Sequence, residues 1–137
     1  MKKHKLSIVL VLVWASLIFI MSSFDATDSS NQSNFIVNII SNIFNIENVK
    51  LLSLIIRKLA HYTEYLILGI LVINMFTKNN ISRSHLLSII LCVIYATSDE
   101  IHQLFVPGRA CQIKDILIDS VGSITGIYLY KLLIKRK

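Results

Sequence analysis

Nine ionisable side chains stand in stretches of this chain that are otherwise apolar: Arg57, Lys58, His61 and Glu64; Asp99, Glu100 and His102; Asp115 and Asp119. Charged groups within membrane-length apolar segments are costly and mark functional sites by default. Their types point to specific chemistry. His61 and His102 each have a carboxylate nearby and could act as a general base. Guanidinium and ammonium groups (Arg57, Lys58 and, in a following loop, Arg109) suit a phosphate. The imidazole and carboxylate set could also hold a divalent cation. No HExxH, glycine-rich phosphate loop or activated Ser or Cys motif names a reaction. No cofactor is therefore required by the sequence, and no metal ligand set is assigned.

The competing reading is structural. Lys and Arg snorkel near an interface, and Asp, Glu and His form ion-pair networks that only lock a bundle. Convergence of so many ionisable groups from separate segments favours a site.

These residues need elements to position them. The chain has 137 residues, is 54% hydrophobic and has a mean hydropathy of +0.65. A soluble domain of that size cannot bury so much apolar side chain. Apolar runs of about 20 residues, each enough to cross a bilayer, fit the length four times. The expected fold is an all-α membrane bundle, a single domain over 1–137, with spans at about 6–22, 51–76, 82–106 and 113–134. Pro107-Gly108 ends the third span. Leu6 to Met21, behind a basic start, also resembles a signal peptide; without a small-residue cleavage site it is read as a retained helix. Phe24 to Gln32 reads as a polar outer loop. Ser33-Asn34 then caps an amphipathic outer-interface helix at about 34–47, with Phe35, Ile36, Ile39, Ile40, Ile43 and Phe44 opposite Asn38, Ser41, Asn42 and Asn45.

Charge placement sets the orientation. The formal net charge is +6. Lys2, Lys3 and Lys5 precede the first span, Lys78 and Arg83 lie between the second and third, and Lys131, Lys135, Arg136 and Lys137 close the chain. That is the positive-inside pattern of a multi-pass protein with both termini cytoplasmic. No aromatic residues interleave with the basic groups, so nucleic-acid binding is excluded. Cys92 lies in a span and Cys111 in an outward loop, which gives no disulfide framework.

Measured from the basic markers at about 1.5 Å per residue, the ionisable groups fall roughly 18 to 30 Å away. All three sets then share the outer layer of a core about 30 Å thick. Arg57, His61, Glu64 and Tyr65 lie on one helical face, as do Asp99, His102 and Gln103. Asp115 and Asp119 continue onto Gly122 and Gly126, a small-xxx-small packing face.

Two stretches carry a family resemblance: Arg57-Lys58-Leu59-Ala60-His61-Tyr62-Thr63-Glu64-Tyr65-Leu66, and Ser98-Asp99-Glu100-Ile101-His102-Gln103-Leu104-Phe105-Val106-Pro107-Gly108-Arg109. With Asp115, Asp119, Gly122 and Gly126, they resemble the VanZ-like family, named for a teicoplanin-resistance protein. The resemblance runs from about Leu51 to the end. It implies functional positions at Arg57, His61, Glu64, Tyr65, Asp99, Glu100, His102, Gln103, Arg109, Asp115 and Asp119. Two places depart from the pattern: Asp119 stands where many relatives have Asn, and Ala110-Cys111 replaces a small Ser/Gly pair. The resemblance also implies a plasma-membrane protein of a Gram-positive bacterium, linked to reduced susceptibility to teicoplanin-type lipoglycopeptides.

Two functions fit. In the first, Arg57, Lys58 and Arg109 hold the phosphates of a membrane lipid or lipid-linked cell-wall precursor, while Glu64, Asp99 and Asp119 orient them and His61. In the second, an enzyme acts on a lipid or cell-wall headgroup, with His61, Glu64, Asp99, Glu100 and His102 as catalytic candidates. The oligomeric state is left open by both.

Overall fold

The computed structural model describes residues 2–44 and 48–135. It is all-helical over those residues: α1 (Lys2–Ser22), α2 (Ala26–Phe44), α3 (Val49–Lys78), α4 (Ser84–Gln103) and α5 (Ile113–Lys135). Four of these are long and apolar enough to cross a membrane: His4–Ser22 within α1, all of α3 and α4, and Ile113–Ile134 within α5. Their outer surfaces are correspondingly greasy, with Leu12, Ile94 and Leu132 each left uncovered by the chain. In water that surface would drive aggregation; in lipid it is the ordinary exterior.

α3 is the hub. It packs on each of the other four helices, most extensively on α5. The reason is local: Gly69 faces the Ser123 backbone, Gly122 the Tyr62 backbone and Gly126 the Leu66 backbone, each too closely for a side chain. Apolar association offers little between helices in lipid, so this backbone approach supplies dispersion contacts instead. Gly122 and Gly126 were expected on a packing face; Gly69 completes that seam from α3.

α1 is tied on by polar struts as well as apolar contact. Trp14 Nε1 donates to the Glu64 carbonyl of α3 at 2.9 Å, and Tyr95 Oη of α4 donates to the Ala15 carbonyl at 2.6 Å. Between them Val11, Ile18, Leu68, Val72, Cys92 and Ala96 form the apolar core.

The segment read as a polar loop is a correction. Helix α2 starts at Ala26, not near residue 34. Ser and Asn have only modest penalties in a helix, and no Gly or Pro interrupts 24–44, so the turns that begin α2 extend without a breaker. Its docking stripe is narrow. Val37 is fully buried and Ile40 half-buried, whereas Phe35 is 71% exposed and Ile39 and Ile43 are also uncovered. Protein on one flank, apolar side chains on the next and Asn38 and Asn42 on the third is the division expected of an interfacial helix. Its expected last turn, 45–47, and the closing Arg136 and Lys137 lie outside the described residues.

The third span also ends sooner than expected. Regular helix stops at Gln103, and the chain tightens into i to i+3 bonds, Phe105 N–H to the His102 carbonyl at 2.9 Å and Val106 N–H to Gln103 at 3.1 Å. Val106 is buried, and Gly108 then turns at φ 73°, which an L side chain adopts only with strain. The turn brings Arg109 back over the bundle. At the opposite end, Arg83 starts α4 with φ 58°.

Candidate functional site

α3 is about 45 Å long, which exceeds an apolar core of about 30 Å. Taking Lys78 as one boundary, the other falls near Arg57 and Lys58, with His61 and Glu64 one or two turns inside. At this polar end a cavity of about 190 Å³ opens between the helices. Arg57, Ala60, His61 and Glu64 of α3 form one wall, Asp99 of α4 and Arg109 of the following turn another, and Met21, Ser22, Ile36 and Ile56 complete it. The i, i+3, i+4, i+7 spacing on α3 makes that wall continuous.

Two guanidiniums face this one pocket. Burial lowers the Arg109 pKa below its ordinary value, and the neighbouring Arg57 charge pushes it the same way, while Glu100 and Asp99 oppose them. An anion placed between Arg57 and Arg109 relieves that repulsion, and the planar guanidinium fork matches phosphate oxygens.

Behind the pocket lie two carboxylates with no exposure at all, Glu100 and Asp119. Glu100 Oε2 accepts the Gln112 backbone N–H at 2.8 Å. Asp119 Oδ1 lies 3.5 Å from His61 Nδ1. His61 therefore has one flank on the cavity and one on a buried carboxylate.

The remaining sequence candidates divide clearly. Lys58 Nζ pairs with Asp115 Oδ1 at 2.5 Å, joining α3 to α5. This pair takes Lys58 away from the pocket lining. Gln103 Nε2 donates to Ser22 Oγ at 3.0 Å, and His102 Nε2 lies 3.1 Å from Ser23 Oγ with its ring 4.5 Å from that of Phe19. Both join α4 to α1. Tyr65 is fully buried, its ring 6.2 Å from Tyr95. So Arg57, His61, Glu64, Asp99 and Arg109 share the pocket; Glu100 and Asp119 stand behind it; Lys58, Tyr65, His102, Gln103 and Asp115 hold helices together.

Sequence reasoning missed Ser22, Ile36 and Ala60 on the pocket wall and the Gln112 N–H on Glu100. Ala60 was findable, three residues after Arg57 on the same face and small enough to leave room. Nothing in the local sequence marks Ser22 or Gln112.

A family model described as VanZ/LLP1 matches residues 7–134. The chain belongs to the VanZ/LLP1 family. The resemblance carried by the two motifs is thereby borne out, and it extends to α1 and α2, where the motifs themselves say nothing. No curated protein and no solved structure matches this VanZ/LLP1 chain. Its membrane character follows from the family together with the four apolar helices.

Proposed function

We propose that this VanZ/LLP1 membrane protein binds the phosphate-bearing headgroup of a membrane lipid or lipid-linked cell-wall precursor in the Arg57–Arg109 pocket. The observation that carries the reading is that two arginines, Arg57 and Arg109, line one cavity. Glu64 and Asp99 line the same cavity and orient the cations, and Ile36 and Ile56 give the ligand's first apolar atoms a surface. The excess of Lys and Arg at the far end supports an outward-facing pocket in the plasma membrane, with both termini in the cytoplasm. By occupying a precursor or lipid there, the protein lowers susceptibility to teicoplanin-type lipoglycopeptides in a Gram-positive host.

The test is teicoplanin susceptibility of a sensitive Gram-positive host expressing the chain, beside matched-expression His61→Ala and Glu100→Gln variants. Protection by the wild type that both variants lose supports the reading. Absence of protection from well-expressed wild type removes the antibiotic role and leaves headgroup binding to be measured directly.

A second reading is a membrane hydrolase or transferase acting on the same headgroup. It is favoured by His61, whose Nδ1 faces buried Asp119 while the residue lines the pocket, the arrangement of an oriented general base. Turnover of a phosphoester lipid by purified protein, lost in His61→Ala, would establish it.

A further inference from the structure

Three side chains from three helices meet behind the pocket. His61 of α3, Glu100 of α4 and Asp119 of α5 each present a donor atom within 4.8 Å of the other two. Neither carboxylate is exposed. Glu100 Oε2 takes the Gln112 N–H, but Oε1 accepts no hydrogen bond among the described residues, and neither does either oxygen of Asp119. His61 Nδ1 lies 3.5 Å from Asp119 Oδ1, too long for a good hydrogen bond. Lys58, on the same helix as His61, is engaged by Asp115.

Two buried carboxylates side by side are costly without a compensating positive charge. We propose that His61, Glu100 and Asp119 bind a divalent transition-metal ion, zinc first and manganese second. The donor set selects the class. One imidazole and two carboxylates suit zinc or manganese, whereas magnesium and calcium prefer oxygen throughout. Metal–donor distances of about 2.0 to 2.2 Å require the three atoms to draw in by roughly an ångström, a rotamer adjustment. The Gln112 N–H fixes one Glu100 oxygen and leaves the other for the ion, as partners of metal-bound carboxylates do.

Three protein donors leave coordination positions open, as in catalytic rather than structural sites. His61 belongs to the cluster and also lines the cavity, so the open positions of the ion lie beside the pocket that would hold an anionic oxygen. That consequence rests on the headgroup reading; the ion itself does not.

The experiment titrates Zn²⁺, and separately Mn²⁺, into the intact chain purified in detergent and stripped with EDTA. Calorimetry and elemental analysis after desalting report stoichiometry and affinity, and thermal melting reports folding. The expected result is one ion per chain and a higher melting temperature in metal. Asp119→Asn and Glu100→Gln should each weaken binding by about tenfold or more, whereas Asp115→Asn should not. Absence of binding by folded wild type overturns the proposal, and so does undiminished affinity in both near-isosteric variants. Should Asp119→Asn fail to fold, Glu100→Gln and the wild-type titration decide. A blank metal titration beside intact headgroup binding removes the ion alone; headgroup binding lost in Arg57→Gln with metal retained concerns only the pocket.

Discussion

His61 of α3 and Asp119 of α5 face each other across the glycine seam, Nδ1 to Oδ1 at 3.5 Å, with Asp119 wholly buried. The separation depends on how closely the two backbones approach. Gly122 lies one turn from Asp119 and against the backbone of Tyr62, the residue after His61. Packing of the seam and geometry of the site are therefore one problem.

Gly126→Ala should destabilise the fold by about 1 to 3 kcal/mol, the usual range for overpacking. The added carbon meets the Leu66 backbone, which cannot rotate away. Reversible unfolding in mixed micelles measures the change. Wild-type stability in this variant would mean that the seam is looser than described.

Trp14→Phe should cost about 1 kcal/mol, since it removes the 2.9 Å bond to the Glu64 carbonyl and keeps the ring. The same unfolding assay applies. No loss would show that apolar contact alone holds α1 on α3.

The two histidines should separate in function. His102→Phe keeps an aromatic ring against Phe19 and lies away from the pocket, so headgroup affinity should stay within about twofold. His61→Ala opens the pocket wall and removes the neighbour of Asp119, and it should weaken binding. Equal losses measured by lipid titration would count against this division of the sequence motif.

For the Lys58–Asp115 pair the neutral double variant is informative. Lys58→Met alone leaves Asp115, only 15% exposed, without its cation, whereas Lys58→Met with Asp115→Leu removes the uncompensated charge. The double variant should be more stable than the single one, because burying an unpaired charge costs more than losing the pair. The reverse order in thermal melts would contradict the pairing.

How much of this was legible depended on periodicity. Arg57, His61 and Glu64 share a face by spacing alone, and the depth of each polar group follows from rise per residue, so convergence of α3, α4 and α5 could be read from the chain. Rotation of α4 could not. Asp99 and Glu100 are adjacent in sequence and about 100° apart around a helix; one lines the pocket and the other packs behind it. Likewise His102 and Gln103 looked equivalent to Asp99, but their positions one turn farther along meet Ser23, just past α1, and Ser22, its last residue. Contacts with the end of another helix depend on tertiary placement, which periodicity does not encode. The early start of α2 was missed because a Ser/Asn-rich segment signals a loop by composition, although nothing in it breaks a helix.

Headgroup binding by the Arg57–Arg109 pocket can be measured directly. A short-chain phosphatidylglycerol, and in a second arm a polyprenyl phosphate, is titrated into detergent-purified wild type and the Arg57→Gln/Arg109→Gln double variant. Saturable wild-type binding, about tenfold or more weaker in the double variant (at least about 1.4 kcal/mol) and weakened by salt, is the predicted result. Equal affinity in a folded double variant, or binding indifferent to the phosphate, would contradict it.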